Sequence, residues 1–227
     1  MVDIWLDDMM KRLLIIGARG FGREIVNLAR QCPGNGTEFE VAGYLDDQQD
    51  ALSGYPGYPP IIASVESYAI RADDIFVCAL GSTKHKQMYV EMIRSRGGCF
   101  QTLVHPTAIV SSNAALGEGC IVGAYALISC DVSISEYVTI QSFSAIGHDA
   151  KIGAYCHLNA YAFMGGFAEL EAGVTLHTGA KVLPHKRIGA NATVGAGSVV
   201  LRNVRPGTTV FGIPAMTIPS SSDELAK

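Results

Sequence analysis

The chain has 227 residues, of which 48% are hydrophobic, and a formal net charge of -4 at pH 7. This length and composition accommodate one large domain or two modest ones, each with a buried core. Because the balance is mildly acidic and lysine and arginine form no run, the composition argues against nucleic acid or an anionic membrane as main partner, while a local anion site remains possible.

Cellular location and redox state follow from the same composition. No apolar stretch is as long as a transmembrane helix, and aspartates rather than basic residues occupy the N-terminus, so we expect a cytoplasmic protein. The six cysteines include no C-x-x-C pair, and the histidines are not spaced as metal ligands. We therefore expect reduced thiols and no metal.

The first predicted element is a strand at residues 12–16, an apolar run that leads into the glycine-rich segment GARGFGRE. Apolar residues then recur at helical spacing, which predicts strand, tight turn and helix, the start of a Rossmann-like unit. The glycines do not have the G-x-G-x-x-G spacing of a dinucleotide site, so a plain turn stays open. Glycines at a helix N-terminus still let backbone N–H groups approach a phosphate, and Arg19 or Arg23 would add charge.

A second strand is predicted at residues 39–45, and Asp46 and Asp47 follow it directly. Carboxylates at the end of this strand are placed to hydrogen-bond a ribose or base, although a solvated turn explains them equally well. The rest of this half predicts a helix at 62–70, a strand at 75–80, a helix at 84–95 and a strand at 100–104. Met88, Met92 and Ile93 are expected on one face of the helix at 84–95.

The second half is dominated by an apolar residue at every sixth position, an arrangement expected by chance about once in 10⁵ trials. A period of six fits neither an amphipathic helix nor a hairpin, but it fits a chain that turns a corner every six residues. We predict a three-sided β-solenoid of roughly five coils, stacked about 4.8 Å apart, with one inward side chain per face. The apolar positions are Val110, Leu116, Val122, Ile128, Ile134, Ile140, Ile146, Ile152, Leu158, Met164, Leu170, Leu176, Val182, Ile188, Val194 and Val200.

These patterns divide the chain at the His-Pro pair of residues 105 and 106. We expect an N-terminal extension at 1–11, a Rossmann-like domain at 12–104, a solenoid at 105–218 and a flexible polar tail at 219–227. The Rossmann-like domain is shorter than a full dinucleotide-binding fold and has room for a mononucleotide.

The strongest candidate for chemistry on the solenoid is the pair His148 and Asp149, which is predicted to point outward. A neutral imidazole accepts a proton from an attacking amine or hydroxyl, and a neighbouring carboxylate increases its basicity. Taken alone, the pair is also compatible with an ordinary surface.

Taken together, these parts resemble the NeuD/PglD-type sugar O/N-acetyltransferases, which are hexapeptide-repeat enzymes with a left-handed parallel β-helix. The likeness runs from about Lys11 to Met216. It rests on GARGFGRE, a strand ending in Leu-Asp-Asp, ALGS with a basic residue soon after, a Val-His-Pro junction, and Gly-His-Asp within the repeat.

The resemblance implies an acetyl-CoA-dependent N-acetyltransferase acting on a nucleotide-linked amino sugar in bacterial polysaccharide synthesis, without a metal. It implies a homotrimer with active sites between subunits. His148 is implied as general base, Asp149 as its tuning neighbour and the Gly166 N–H as a partner of the thioester oxygen. The implied acetyl-CoA contacts are His157, Gly166, Thr178 and Ala196, and the implied nucleotide-sugar contacts are Arg19, Gly20, Phe21, Asp46, Asp47 and Gly81.

Three positions depart from the family pattern. Gln141 stands where an outward Asn is frequent, Asp149 replaces a longer Glu, and the loop at 19–21 carries Arg-Gly-Phe where a small residue and histidine are frequent. The last difference bears on which nucleotide or sugar is selected. Two alternatives stay open: O-acetylation of a sialic acid or another hydroxyl acceptor, and a non-enzymatic assembly module.

Overall fold

The structure is a computed structural model that describes residues 10–218. It forms two compact units that divide in sequence between Pro106 and Thr107, with residues 82–84 grouped with the second. Lys11 begins the first strand, whereas the remainder of the predicted extension and the predicted tail at 219–227 lie outside the described residues, apart from Met10. Across residues 10–218, no helix combines the length and apolarity needed to cross a membrane.

The first unit is a five-stranded parallel sheet with two helices, in the strand order β3-β2-β1-β4-β5. Residues 13–16 of its central strand are fully buried, as expected for a parallel strand inside an α/β unit. This confirms the predicted α/β unit. The elements are β1 Lys11–Ile16, α1 Gly20–Gln31, β2 Phe39–Leu45, β3 Ile61–Ala63, β4 Asp74–Cys78, α2 Thr83–Arg94 and β5 Cys99–Phe100, followed by a short strand at Leu103–Val104.

The helix predicted at 62–70 is wrong, because Ile61–Ala63 forms β3 and pairs in parallel with β2. Ile62 packs over Gly43, where an added Cβ would lie 2.6 Å from the Ile62 Cδ1. Branched side chains of this kind favour a strand that packs closely on its neighbour. The following residues make only a turn, in which the Ser67 N–H donates to the Ser64 Oγ.

The helix face predicted to carry Met88, Met92 and Ile93 is only in part the face that α2 buries. Met88 is 43% exposed, and the helix buries Lys86, Val90 and Ile93 instead. Their i, i+4, i+7 spacing is that of a helix face, but the lysine at its first position masked the pattern in the sequence.

The second unit is the predicted parallel β-solenoid, in which strands pair at an interval of eighteen residues, as Leu127 pairs with Ala145, until Thr193 pairs with Thr209 sixteen residues further on. We name its three sheets by order of appearance. The first face contains Ile109–Val110, Leu127–Ile128, Ala145–Ile146, Phe163–Met164, Lys181–Val182 and Val199–Val200. The second face contains Ala115–Leu116, Ser133–Ile134, Lys151–Ile152, Glu169–Leu170 and Arg187–Ile188. The third face contains Ile121–Val122, Thr139–Ile140, His157–Leu158, Thr175–Leu176, Thr193–Val194 and Thr209–Phe211, and Met216–Ile218 pairs antiparallel to the last of these.

The aliphatic positions of the repeat form the core of this unit. From Val122 to Val200 every one of them is buried, and only Val110 and Leu116, in the first coil, are half-buried. The prediction of one inward side chain per face is wrong, because the small residues four positions later, such as Ala126 and Ala150, are buried as well. A narrow triangular interior accommodates a large and a small side chain from each face at close-packed density.

Each corner turns through left-handed backbone, which bulky residues adopt here at a cost of roughly 1–2 kcal/mol each. Aromatic residues offset part of this cost by stacking on the next coil, a contact worth about 0.5–1.5 kcal/mol. Ring centroids are 5.2 Å apart for Tyr125 and Phe143 and 5.1 Å apart for Phe143 and Tyr161. The non-glycine residues with this backbone are Tyr125, Asp131, Tyr137, Phe143, Asp149, Tyr155, Tyr161, Phe167, His185 and Asn191.

Candidate functional site

A pocket of about 400 Å³ opens at the carboxyl ends of β1, β2 and β4. β1 lies between β2 and β4 in the sheet, so this is the point where the strand order reverses, and ligands of open parallel sheets bind at that point. Of the predicted nucleotide-sugar contacts, all except Gly20 line it. The lining residues are Ile16, Gly17, Arg19, Phe21, Leu45, Asp46, Asp47, Gln48, Val65, Ala79, Leu80, Gly81, His85 and Tyr89.

Asp46 holds the glycine-rich loop against the end of β2. Its Oδ2 accepts a hydrogen bond from the Ala18 N–H at 2.7 Å, and its Oδ1 accepts one from the Gln48 N–H at 2.9 Å. The loop begins at Gly17, whose φ of +96° favours glycine and whose added Cβ would lie 2.8 Å from the Leu80 Cδ2. Both carboxylate oxygens of Asp46 therefore fix the loop that forms one wall of the pocket.

The N-terminus of α1 has the character of an anion site. Arg19 occupies its N-cap position without a side-chain cap hydrogen bond, and the first turn carries no acidic residue. The Arg19 Nη2 instead donates to the Gln48 Oε1 at 2.6 Å. A helix N-terminus with a guanidinium beside it attracts phosphate through both the backbone N–H groups and the charge.

Another part of the pocket wall comes from α2, none of whose residues is among the site residues predicted from the sequence. His85 and Tyr89 are four residues apart and line the pocket together, so helical spacing after Gly81 was the signal that would have found them. The Tyr89 hydroxyl donates to the Asp47 Oδ2. This hydrogen bond, together with partial burial, raises the pKa of Tyr89 to about 12. Tyr89 is thus held protonated and donates to a carboxylate at the end of β2.

On the solenoid, His148 and Asp149 lie at the first corner, which we define as the residues directly after each first-face strand. The His148 Nδ1 is 2.8 Å from the Asp149 Oδ2, and the two side chains are 55% and 40% exposed. Since an ionised carboxylate only accepts hydrogen bonds, Nδ1 carries the proton. In the neutral imidazole, Nε2 is then the free acceptor, as a general base requires.

Gly166 lies at the same corner one coil later. A Cβ added there would be 2.7 Å from both Cε1 and Nε2 of His148, so the glycine makes room for the imidazole. Among residues 10–218, no hydrogen-bond acceptor faces the Gly166 N–H.

At two of the other corners, the N–H group at the position corresponding to Gly166 is occupied by a side chain. Ala160 donates to the Gln141 Oε1 at 3.1 Å, and Ala190 donates to the Glu171 Oε2 at 2.8 Å. Gln141 and Glu171 each lie nineteen residues before the N–H group from which they accept a hydrogen bond. The residue nineteen positions before Gly166 is Gly147, which has no side chain that could accept one. An open donor consequently lies beside the base.

An aromatic pair completes this corner. The Phe167 ring meets the His148 imidazole edge to face, with centroids 5.3 Å apart, and stacks on the His185 ring at 4.9 Å. Phe167 and His185 are not among the site residues predicted from the sequence. The eighteen-residue coil length could have identified them, because positions 167 and 185 lie one and two coils after Asp149.

The remaining predicted acetyl-CoA contacts lie elsewhere on the solenoid. Thr178 and Ala196 are exposed and follow one another at the corner after the third face, a different edge from that of His148. His157 is on the third face and only 2% exposed, with its Nε2 3.3 Å from the Gln141 Nε2. Within one chain the structure therefore joins His148, Asp149 and Gly166 but not these three residues.

The described residues of the pocket and of the first corner form no metal-binding cluster. In the part of the chain that the structure describes, no group of three His, Cys, Asp or Glu side chains is arranged to hold an ion. The six cysteines are free thiols, and Cys120 and Cys156 fill small inward positions of the solenoid.

A pocket at the carboxyl ends of a parallel sheet, followed along the chain by a parallel β-solenoid with an outward His-Asp pair, defines a hexapeptide-repeat protein with an N-terminal α/β domain. Residues 12–93 match the family model of the PglD N-terminal domain. Over most of its length the chain is similar to solved N-acetyltransferases, and its N-terminal part matches the PglD N-terminal domain, as the resemblance to NeuD/PglD-type sugar acetyltransferases predicted.

Three relatives illustrate the family. UDP-N-acetylbacillosamine N-acetyltransferase of Bacillus subtilis is 33% identical over 122 residues, which cover 51% of this chain and 52% of that protein. The alignment with this curated relative thus spans about half of its length. PerB from Caulobacter crescentus, solved with CoA and GDP-perosamine, is 28% identical over 93% of this chain and 99% of that chain, with a TM-score of 0.83. The acetyltransferase domain of PglB from Neisseria gonorrhoeae, solved with acetyl coenzyme A, is 26% identical over 92% of this chain and 100% of that chain, also with a TM-score of 0.83.

Proposed function

We propose that the protein transfers the acetyl group of acetyl-CoA to the amino group of a nucleotide-linked amino sugar. The observation that carries this proposal is the His148–Asp149 pair beside the open Gly166 N–H. A base and an oxyanion donor at one corner are the two groups that acyl transfer from a thioester to an amine requires.

In the proposed reaction, the sugar amine attacks the thioester carbonyl carbon while the His148 Nε2 takes the proton from the amine nitrogen. The carbonyl oxygen becomes an oxyanion that accepts a hydrogen bond from the Gly166 N–H. When the carbon–sulfur bond breaks, CoA leaves as a thiolate and the imidazolium returns its proton to it. Asp149 stabilises the imidazolium through Nδ1, and no covalent acyl-enzyme forms.

The nucleotide would occupy the pocket of the first unit. Its diphosphate is the anion that the N-terminus of α1 and Arg19 attract, and Asp47 is placed at the end of β2 to accept a hydrogen bond from a ribose or base. UDP- and GDP-linked sugars are both named among the relatives. Phe21 lines the pocket and is the bulky residue we expect to restrict the choice among them.

Acetyl-CoA would lie along the solenoid in a homotrimer. Thr178 and Ala196 occupy a different edge from His148 within one chain, so an intersubunit site is the arrangement that unites them. We expect sedimentation velocity to show a trimer, and a stable monomer would contradict the intersubunit site.

The reaction is tested by mixing the protein with acetyl-CoA and a panel of UDP-, dTDP- and GDP-linked 4-amino sugars while thiol release is followed. We expect turnover with one nucleotide and a product whose acetyl group survives mild alkali, because an amide is stable there and an ester is not. An alkali-labile product would indicate a hydroxyl acceptor. Absence of both turnover and acetyl-CoA binding would contradict the proposal and favour an assembly module.

Asp46→Ala tests the pocket separately from the chemistry. The change removes both hydrogen bonds that hold the loop, and a bond to a charged group contributes about 1.5–3 kcal/mol, so the nucleoside diphosphate should bind about tenfold more weakly or worse. Isothermal titration calorimetry with UDP and GDP measures this directly. Asp50→Ala, an exposed carboxylate in the next turn, is the matched control, and equal affinities of the two variants would contradict the assignment.

A further inference from the structure

The contact between Phe167 and His148 breaks a regularity of the solenoid. At the other corners, aromatic residues in left-handed backbone stack on one another, as Tyr125 does on Phe143 with an interplanar angle of 16°. At the first corner Asp149 occupies the position one coil before Phe167, so the ring has no aromatic neighbour there. It meets the His148 imidazole instead, at an interplanar angle of 88°.

Phe167 is itself held firmly. Its backbone has a φ of +60°, and its N–H donates to the His148 carbonyl oxygen at 3.0 Å. On the side away from His148, the ring stacks almost parallel on His185, at an interplanar angle of 5°. A ring fixed by backbone and stacking presents a rigid surface to the imidazole.

The imidazole needs such a surface because more than half of its side chain is exposed to solvent. The hydrogen bond from Nδ1 to Asp149 fixes the ring at one point only, and an exposed histidine otherwise samples several staggered rotamers. The edge-to-face contact adds a second fixed point. Together they retain the rotamer in which Nε2 lies over Gly166.

We propose that Phe167 is a positioning residue, which keeps the His148 Nε2 beside the open N–H of Gly166. This inference rests on the proposed function, in which His148 is the base. Phe167 does not touch the reacting atoms and acts through His148 alone. The share of molecules with a correctly placed base therefore depends on it, whereas substrate affinity does not.

The test compares Phe167→Leu, which removes the ring but keeps an apolar side chain, with Phe167→Tyr, which keeps the ring. Edge-to-face pairs contribute enough to change a rotamer population about 2- to 10-fold, so kcat of Phe167→Leu should fall by that factor with both KM values unchanged. Phe167→Tyr should retain the wild-type kcat. The matched control is Tyr125→Leu, which removes a stacked aromatic from left-handed backbone at another corner and should leave kcat unchanged.

The outcomes separate this inference from the function on which it rests. Wild-type kcat in Phe167→Leu, when His148→Ala is inactive, overturns the positioning role and leaves the proposed function standing. Full activity of His148→Ala overturns the base itself. NMR gives a readout that needs neither activity nor a stable leucine variant: nuclear Overhauser contacts between the Phe167 ring and the His148 imidazole are expected in the wild-type protein, and their absence overturns the proposal.

Discussion

His148→Ala is expected to lower kcat by roughly 10² to 10⁴, the contribution that a positioned general base makes. The alanine cannot take the proton from the attacking amine, so the nucleophile must lose it to water. Binding should change little, because the side chain is half-exposed and acts on one nitrogen of the acceptor rather than on the nucleotide. Steady-state thiol release, with separate titrations of acetyl-CoA and sugar nucleotide, distinguishes kcat from KM.

Two further variants are compared with His148→Ala, one at its neighbouring carboxylate and one as a control. Asp149→Asn keeps the size of the side chain but removes the charge that stabilises the imidazolium, and loss of a charge-assisted hydrogen bond should cost about tenfold in kcat. Lys151→Ala, an exposed change in the same coil, should have no effect, since its ion pair with Glu169 is long and open to solvent. If His148→Ala keeps its turnover, the reaction has another base.

The solenoid was predictable because its physical cause lies in local sequence. Each coil repeats after eighteen residues, so every inward aliphatic residue of the six-residue repeat from Val122 to Val200 could be assigned from periodicity alone. The same eighteen-residue period predicts that Gly166 lies one coil after His148, at the same corner. Side-chain orientations were not predictable, because the repeat does not specify rotamers. The rotamers place the Asp149 carboxylate at the His148 Nδ1 and the Phe167 ring edge to face with the imidazole.

The first unit was less predictable because its site joins residues far apart in sequence. Asp47 and Tyr89 are brought together by the order of strands in the sheet, which local patterns do not encode. The helix expected at 62–70 was wrong because a short apolar run has no periodicity to separate helix from strand, and packing over Gly43 decided between them. Asp46 was identified from its position after β2, whereas its hydrogen bond to Ala18 required coordinates.

Gly166→Ala should lower kcat by about 10²-fold, since a misplacement of about 1 Å in a catalytic group has that consequence. The backbone does not require glycine at this corner: alanine stands at the equivalent positions 160, 172, 190 and 196. The nearest conflict is with the imidazole, because the new Cβ would lie 2.7 Å from the His148 Nε2. That distance is too short for any carbon–nitrogen contact, so the ring must move away from its place beside the N–H.

Gly166→Ala keeps the backbone N–H, so a double-mutant cycle is needed to distinguish displacement of His148 from disturbance of the oxyanion donor. If Gly166→Ala acts by displacing His148, adding it to His148→Ala should cost almost nothing further, and the two effects will be strongly non-additive. If it acts instead by disturbing the oxyanion donor or the space of the acetyl group, the second change should lower the residual rate again by its full factor. Measured kcat values for the wild type, both single variants and the double variant decide between these. Full additivity would contradict the geometry described for this corner, in which base and donor depend on one missing Cβ.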